Sequence, residues 1–189
     1  LDTDDGDPLA DSPTSQTVRY DFLAEDSRSD FAITINPGLP SDTREIWMEF
    51  NVRFSNNFTT DGPESGNPDY KFIFGSLGGD GSVRLKTGVY GSEYSLVPSG
   101  GGDNTFGDAT QEYDGEWHEY RLHFDLDGQT LEFWLDGVLQ NSITLSPASD
   151  GVQFEGVELG SNLNRGMAED MYIWWGEWKV WDEAPEWYQ

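Results

Sequence analysis

The chain contains no cysteine, which removes disulfides, metal thiolates and a thiol nucleophile together. It has only two histidines, His118 and His123, and no G-x-S-x-G elbow, phosphate loop or dinucleotide fingerprint accompanies them. Serine hydrolysis and nucleotide chemistry therefore have no support. No apolar run approaches the roughly 20 residues that a membrane-crossing helix needs, so membrane insertion is not expected. Basic residues are scarce too. Ten Lys and Arg, three of them Lys, face 36 Asp and Glu in 189 residues, a formal net charge of −26. Such a chain lacks the positive footprint that nucleic acid or an anionic bilayer demands.

The acidic excess has two physical readings. A high-salt habitat screens repulsion within about 10 Å or less and favours an acidic, solvated surface. Clustered Asp could instead hold structural Ca²⁺ through oxygen ligands. The scarcity of Lys favours the first, halophilic, reading as the main cause, because a metal site needs only a few carboxylates. Since ions screen crowded like charges, the melting temperature is expected to rise from low to molar NaCl. Calorimetric melts across a salt series check this; a flat or falling dependence would mean that the charges are already compensated, most simply by bound cations.

Residues 1–16, LDTDDGDPLADSPTSQ, are acidic, rich in Ser and Pro, and aperiodic, which predicts a tail or linker. Asp2, Asp4, Asp5 and Asp7 have a superficial calcium-loop spacing but lack the glutamate at its twelfth position. From 17 to 189 a single domain is expected, long enough to bury a real core. No signal peptide is visible from Leu1 onward, which leaves exported and cytoplasmic origins both open.

Alternating patterns predict strands at 17–23, 30–36, 45–54, 70–76, 82–90, 117–126, 130–136, 138–145, 154–160 and 171–181. In 45–54, Ile46, Met48, Phe50, Val52 and Phe54 share one face, with Trp47, Glu49, Asn51 and Arg53 on the other. Tyr120, Leu122 and Phe124, and then Leu131, Phe133 and Leu135, continue the apolar face. Asp127-Gly128 and Asp136-Gly137 read as turns. Many short strands with Gly, Asn, Asp and Pro turns indicate an all-β, two-sheet antiparallel sandwich. Long loops are expected at 55–69 and 98–116.

The segment DGEWHEYRLHFDLDGQTLEFWLDGVLQ, 114–140, and the closing W-x-V-W-D of DMYIWWGEWKVWD resemble the laminin-G and concanavalin-like jelly rolls, including jelly-roll polysaccharide lyases. That resemblance implies carbohydrate handling and often structural Ca²⁺. The lyase machinery does not match. Ser76 and Gly78 stand where a Gln-x-His pair is expected, and Glu158 and Asn162 where the lysine and tyrosine near Gly160 are expected. Arg44-Glu45 resembles the family's Arg-rich strand only faintly. The E-x-D-x-x-E string of jelly-roll glucanases is also absent. Glu155 and Glu158, like Glu116 and Glu119, point to opposite faces, and Glu132 and Asp136 lie about 13 Å apart along a strand. A cross-strand pair such as Glu49 with Glu177 stays open for retaining chemistry, which needs carboxyl groups about 5–5.5 Å apart.

His118 falls in the apolar register, a core or rim position, while His123 lies opposite with Arg121 and Asp125. Two histidines on opposite faces do not share a metal. In 171–181, Gly176 suggests a bulge, and one strand cannot bury Trp174, Trp175, Trp178 and Trp181 in the same core. The reading that results is a non-catalytic, extracellular or cell-surface module binding a polysaccharide or glycan. Trp47 and Trp134 would stack on sugar, Asn51 and Arg53 orient it, and Glu49 accept a hydroxyl. The alternatives are a self-associating subunit of a surface layer, fibre or virion, and a jelly-roll lyase or hydrolase.

Overall fold

The computed structural model describes residues 18–22, 29–35, 38–59, 70–77, 82–89, 93–97, 104–145, 152–163 and 169–189. The expected tail at 1–16 lies outside them, as do Gly78 and the loop stretches 60–69 and 98–103. The strands are β1 (Val18–Phe22), β2 (Ser29–Ile35), β3 (Glu45–Phe54), β4 (Tyr70–Leu77), β5 (Ser82–Val89) and β6 (Glu93–Val97). They continue with β7 (Asn104–Phe106), β8 (Trp117–Asp125), β9 (Thr130–Leu135), β10 (Val138–Thr144), β11 (Phe154–Leu163) and β12 (Met171–Trp181). Short 3₁₀ turns occur at Ala109–Glu112 and Glu186–Tyr188.

Two six-stranded sheets form, ordered β1-β12-β3-β8-β9-β10 and β2-β11-β4-β5-β6-β7, and the neighbours pair antiparallel. This is the expected all-β sandwich. All ten expected strands are present; β6 and β7 are additional. β7 has only three residues and sits inside a stretch whose Gly, Asn and Asp content reads as loop.

The core lies between the sheets, as alternation requires. Ile46, Met48, Phe50, Val52 and Phe54 are fully buried, and so are Tyr120, Leu122, Phe124, Leu131 and Phe133. Leu135 is only partly buried against them, because β9 ends there. From the second sheet Leu85, Tyr94, Leu96, Phe154 and Val157 meet this layer.

β12 changes phase along its length. Trp175 pairs with Val52 but Trp178 with Phe50, so the ladder shifts between them. The bulge lets Trp175 and Trp178 both reach the core side, where they lie 5.9 and 5.0 Å from the Phe50 ring. Trp174 and Trp181 align with Arg53 and Trp47, on the outer face. The four indoles are thus divided between two faces.

The two turns differ from their sequence reading in one respect. Asp136 and Gly137 have φ of 48° and 77°, the paired left-handed residues that suit a tight hairpin. In the Asp127-Gly128 turn, by contrast, the left-handed residue is Gln129, φ 57°. Gly128 is required for space instead: a Cβ there would lie 2.1 Å from Asp125 Oδ2. Asp125 Oδ1 accepts from the backbone N–H groups of Asp127 and Gly128 at 2.9 and 2.7 Å, which sets the turn.

Candidate functional site

The outer face of the first sheet carries the residues that alternation turns away from the core. Glu45, Trp47, Glu49, Asn51 and Arg53 on β3 stand beside Trp117, Glu119, Arg121, His123 and Asp125 on β8. Glu132 and Trp134 follow on β9. β3 and β9 share the sheet with β8 between them, so Trp47 and Trp134 do occupy one face. After β12, residues 182–189 return over that face. Trp187 meets Trp134 at 5.5 Å and Trp181 at 6.5 Å. Tyr188 reaches Trp47 at 5.7 Å and Trp134 at 5.7 Å.

This covering changes the role open to Trp47. Only 4% exposed, it stacks on the His123 ring at 4.8 Å and 8° and forms a floor under Tyr188 rather than an open platform. Trp134, Trp181, Trp187 and Tyr188 are partly exposed. Arg53 is buried, its guanidinium 5.3 Å from the Trp174 ring centroid. It lies six residues from Trp47, about 20 Å along the strand. Asn51 is partly exposed between them. Glu49 is the hub of an ion network. Its Oε2 accepts from Arg121 Nε at 3.0 Å and its Oε1 from Lys179 Nζ at 2.9 Å. Arg121 also bonds Glu119 at 2.9 Å and lies 4.9 Å from the Trp187 ring. Glu177 shares Lys179 at 3.1 Å, so the Glu49 and Glu177 pair is bridged by an ammonium. The bonds that Lys179 donates to Glu49 and Glu177 hold its ammonium above its usual range.

Next to this network sits a group that sequence reasoning did not assemble. His123 is 3% exposed. Its Nδ1 lies 2.9 Å from Glu132 Oε2 and its Nε2 2.9 Å from Glu45 Oε1. Tyr188 donates its hydroxyl to Glu132 at 3.1 Å; burial, then the bond to Glu132, push that hydroxyl up to about 12. Glu45 pairs with Asp125 across the strands. Ligand atoms of Glu45, His123 and Asp125 all lie within 4.8 Å of one another. His123 was placed with Asp125 by alternation, but Glu45 and Glu132 come from other strands whose register a single sequence does not fix.

A second titratable group lies at the far end of β8. His118 is a rim residue, with Nδ1 2.8 Å from Asp136 and Nε2 3.2 Å from Asp114. Burial opposes its charge, but the bonds to Asp136 and Asp114 raise it above the ordinary range. Glu112 is buried in the 3₁₀ turn and accepts from the Tyr94 hydroxyl at 2.7 Å, which in turn bonds Tyr120 at 2.8 Å. Desolvation pushes the Glu112 carboxyl up to about 7.

The class defined by these observations is an antiparallel β-sandwich whose outer sheet face carries indoles among fixed ion pairs. No family model matches the chain, and no curated protein matches its sequence. Solved structures match in fold. One is a botulinum neurotoxin type C that enters cells in a manner dependent on interaction with two ganglioside molecules. It aligns with a TM-score of 0.62 at 13% identity, over 90% of this chain and 40% of that one. A botulinum neurotoxin serotype D ligand-binding domain in complex with N-acetylneuraminic acid aligns at 0.59 and 14%, over 89% and 40%. A serotype DC binding domain with rat synaptotagmin II aligns at 0.56 and 11%, over 91% and 44%. The likeness is one of fold, and this chain spans less than half the length of those it matches.

Proposed function

We propose that the chain is a non-catalytic carbohydrate-binding module acting outside the cell or at its surface. The observation that carries this reading is the grouping of partly exposed Trp134, Trp181 and Trp187 beside the Glu49–Arg121–Lys179 network. Flat rings take the apolar faces of a pyranose, and ion-paired groups of fixed direction bond its hydroxyls. In this reading Trp134 stacks on the sugar and Glu49, held by Arg121 and Lys179, accepts a hydroxyl; Trp47 supports the ring layer from beneath, and Asn51 and Arg53 stand further along the same face. The fold neighbours described in complex with sialic acid, or as dependent on gangliosides, support this reading by analogy of architecture.

A glycan array in high salt, with and without Ca²⁺, is the first test. Trp134→Ala is expected to weaken binding of any glycan found by about tenfold, the worth of roughly 1.4 kcal/mol of stacking, with an unchanged thermal melt. If the variant binds as the parent does, or the parent binds no glycan, the site is wrong. The assembly reading then gains, because edge strand β10 exposes Val138 at 61% and Leu139 at 49%. Exposed apolar residues on an unpaired edge favour subunit contacts.

A further inference from the structure

We propose that Glu45, His123 and Asp125 bind one divalent metal ion of the zinc type, with Glu132 as the residue that positions the imidazole. The proposal is independent of the carbohydrate reading.

The donor set comes from register. Glu45 opens β3 opposite Asp125 on β8, and His123 lies two residues away on the same outer face. Their ligand atoms fall within 4.8 Å of one another. Tetrahedral bonds of about 2.0–2.2 Å set the donors roughly 3.4 Å apart, so the widest pair must close by about an ångström, and the Glu45 side chain, 42% exposed, has freedom to move.

The imidazole itself points to a cation. Its Nδ1 faces the Glu132 carboxylate and its Nε2 the Glu45 carboxylate, each at 2.9 Å. A proton or a metal ion belongs between each ring nitrogen and its carboxylate, and on the Glu45 side Asp125 stands close enough to add a third donor. The ring is held in place, since Trp47 stacks on it and the Tyr188 ring lies 4.6 Å from it. A carboxylate that fixes the distal nitrogen of a metal-binding histidine is the usual outer support of such sites.

Glu45 also lines an open polar pocket of about 340 Å³ with Asp42, Arg44, Asp127 and Asp182, where four carboxylates against one guanidinium attract cations. The imidazole sets the preference: Ca²⁺ and Mg²⁺ take oxygen ligands, whereas mixed nitrogen and oxygen donors suit zinc and its neighbours. Three protein ligands leave a fourth position for water or an external donor.

The test is calorimetric titration of the full chain with Zn²⁺ and with Co²⁺ in molar NaCl, which suppresses diffuse binding by the acidic surface. One ion per chain is expected, undisplaced by millimolar Ca²⁺, and Co²⁺ should give visible absorption bands of mixed nitrogen and oxygen ligation. Glu45→Gln and Asp125→Asn keep their hydrogen-bond acceptors, so the fold should hold while affinity falls at least tenfold. Glu132→Gln should weaken binding about 10–100-fold by loosening the ring. No stoichiometric binding by the parent, displacement by Ca²⁺, or unchanged affinity in both Glu45→Gln and Asp125→Asn would overturn the site.

Discussion

Truncation of Phe50 to Ala is expected to destabilise the chain by about 3–5 kcal/mol, lowering the melting temperature by roughly 6–20 °C for a domain of this size. Phe50 has no exposed surface and its ring lies within 6 Å of three others, Tyr120 at 5.5 Å, Trp175 at 5.9 Å and Trp178 at 5.0 Å. These partners come from strands on both sides of β3, so the vacated space cannot be filled by one side chain. The transfer loss and the cavity then add. Urea melts should show a lower midpoint with an unchanged slope. A loss under about 1 kcal/mol would mean that the indoles collapse into the gap and that this layer is not close-packed.

Replacing Glu112 by Gln is expected to remove a pH dependence rather than a contact. Desolvation raises its carboxyl from 4.5 to about 7, so the folded chain holds a proton that the unfolded chain releases. Stability from this group is complete below pH 4.5 and is lost as pH rises through 7, about 3 kcal/mol in all. His118, also raised, acts in the same sense. Asp114 acts oppositely: burial raises it, but bonds from the Glu116 N–H and His118 outweigh that and lower it, so its share is lost on acidification. The parent should therefore melt higher at pH 5.5 than at pH 8. Glu112→Gln, which still accepts from Tyr94, should flatten that slope and melt above the parent at pH 8. Parallel slopes for parent and variant would show that Glu112 ionises freely in the fold.

The sandwich was legible because its signal is local. The run from Glu45 to Phe54 alternates without a break, and both its bounds and its buried face follow from period two alone. The outer face was legible in part. Alternation put Trp47, Glu49, Asn51 and Arg53 together, but it does not say what lies above them. Trp187 and Tyr188 fold back over that face, and their only sequence signal is a Trp-Tyr pair after the last strand with Pro185 before it. Glu112 was hidden for a different reason. Its burial depends on a 3₁₀ turn within a loop and on Tyr94 from β6, a strand that the sequence did not reveal. The grouping of Glu45, His123 and Glu132 required the β3-β8-β9 order, which is long-range information.

The bulge in β12 gives this strand a reading frame. Gly176 contributes no side chain, and Glu177 beside it points into solvent, yet the extra residue decides what everything downstream faces. Without it, strict alternation would turn Trp178 and Val180 outward and drive Lys179 and Trp181 into the core. Glu49 would lose its ammonium and Trp187 one of its neighbours in the same step. The strand therefore forgives changes of chemistry at this point far better than a change of length.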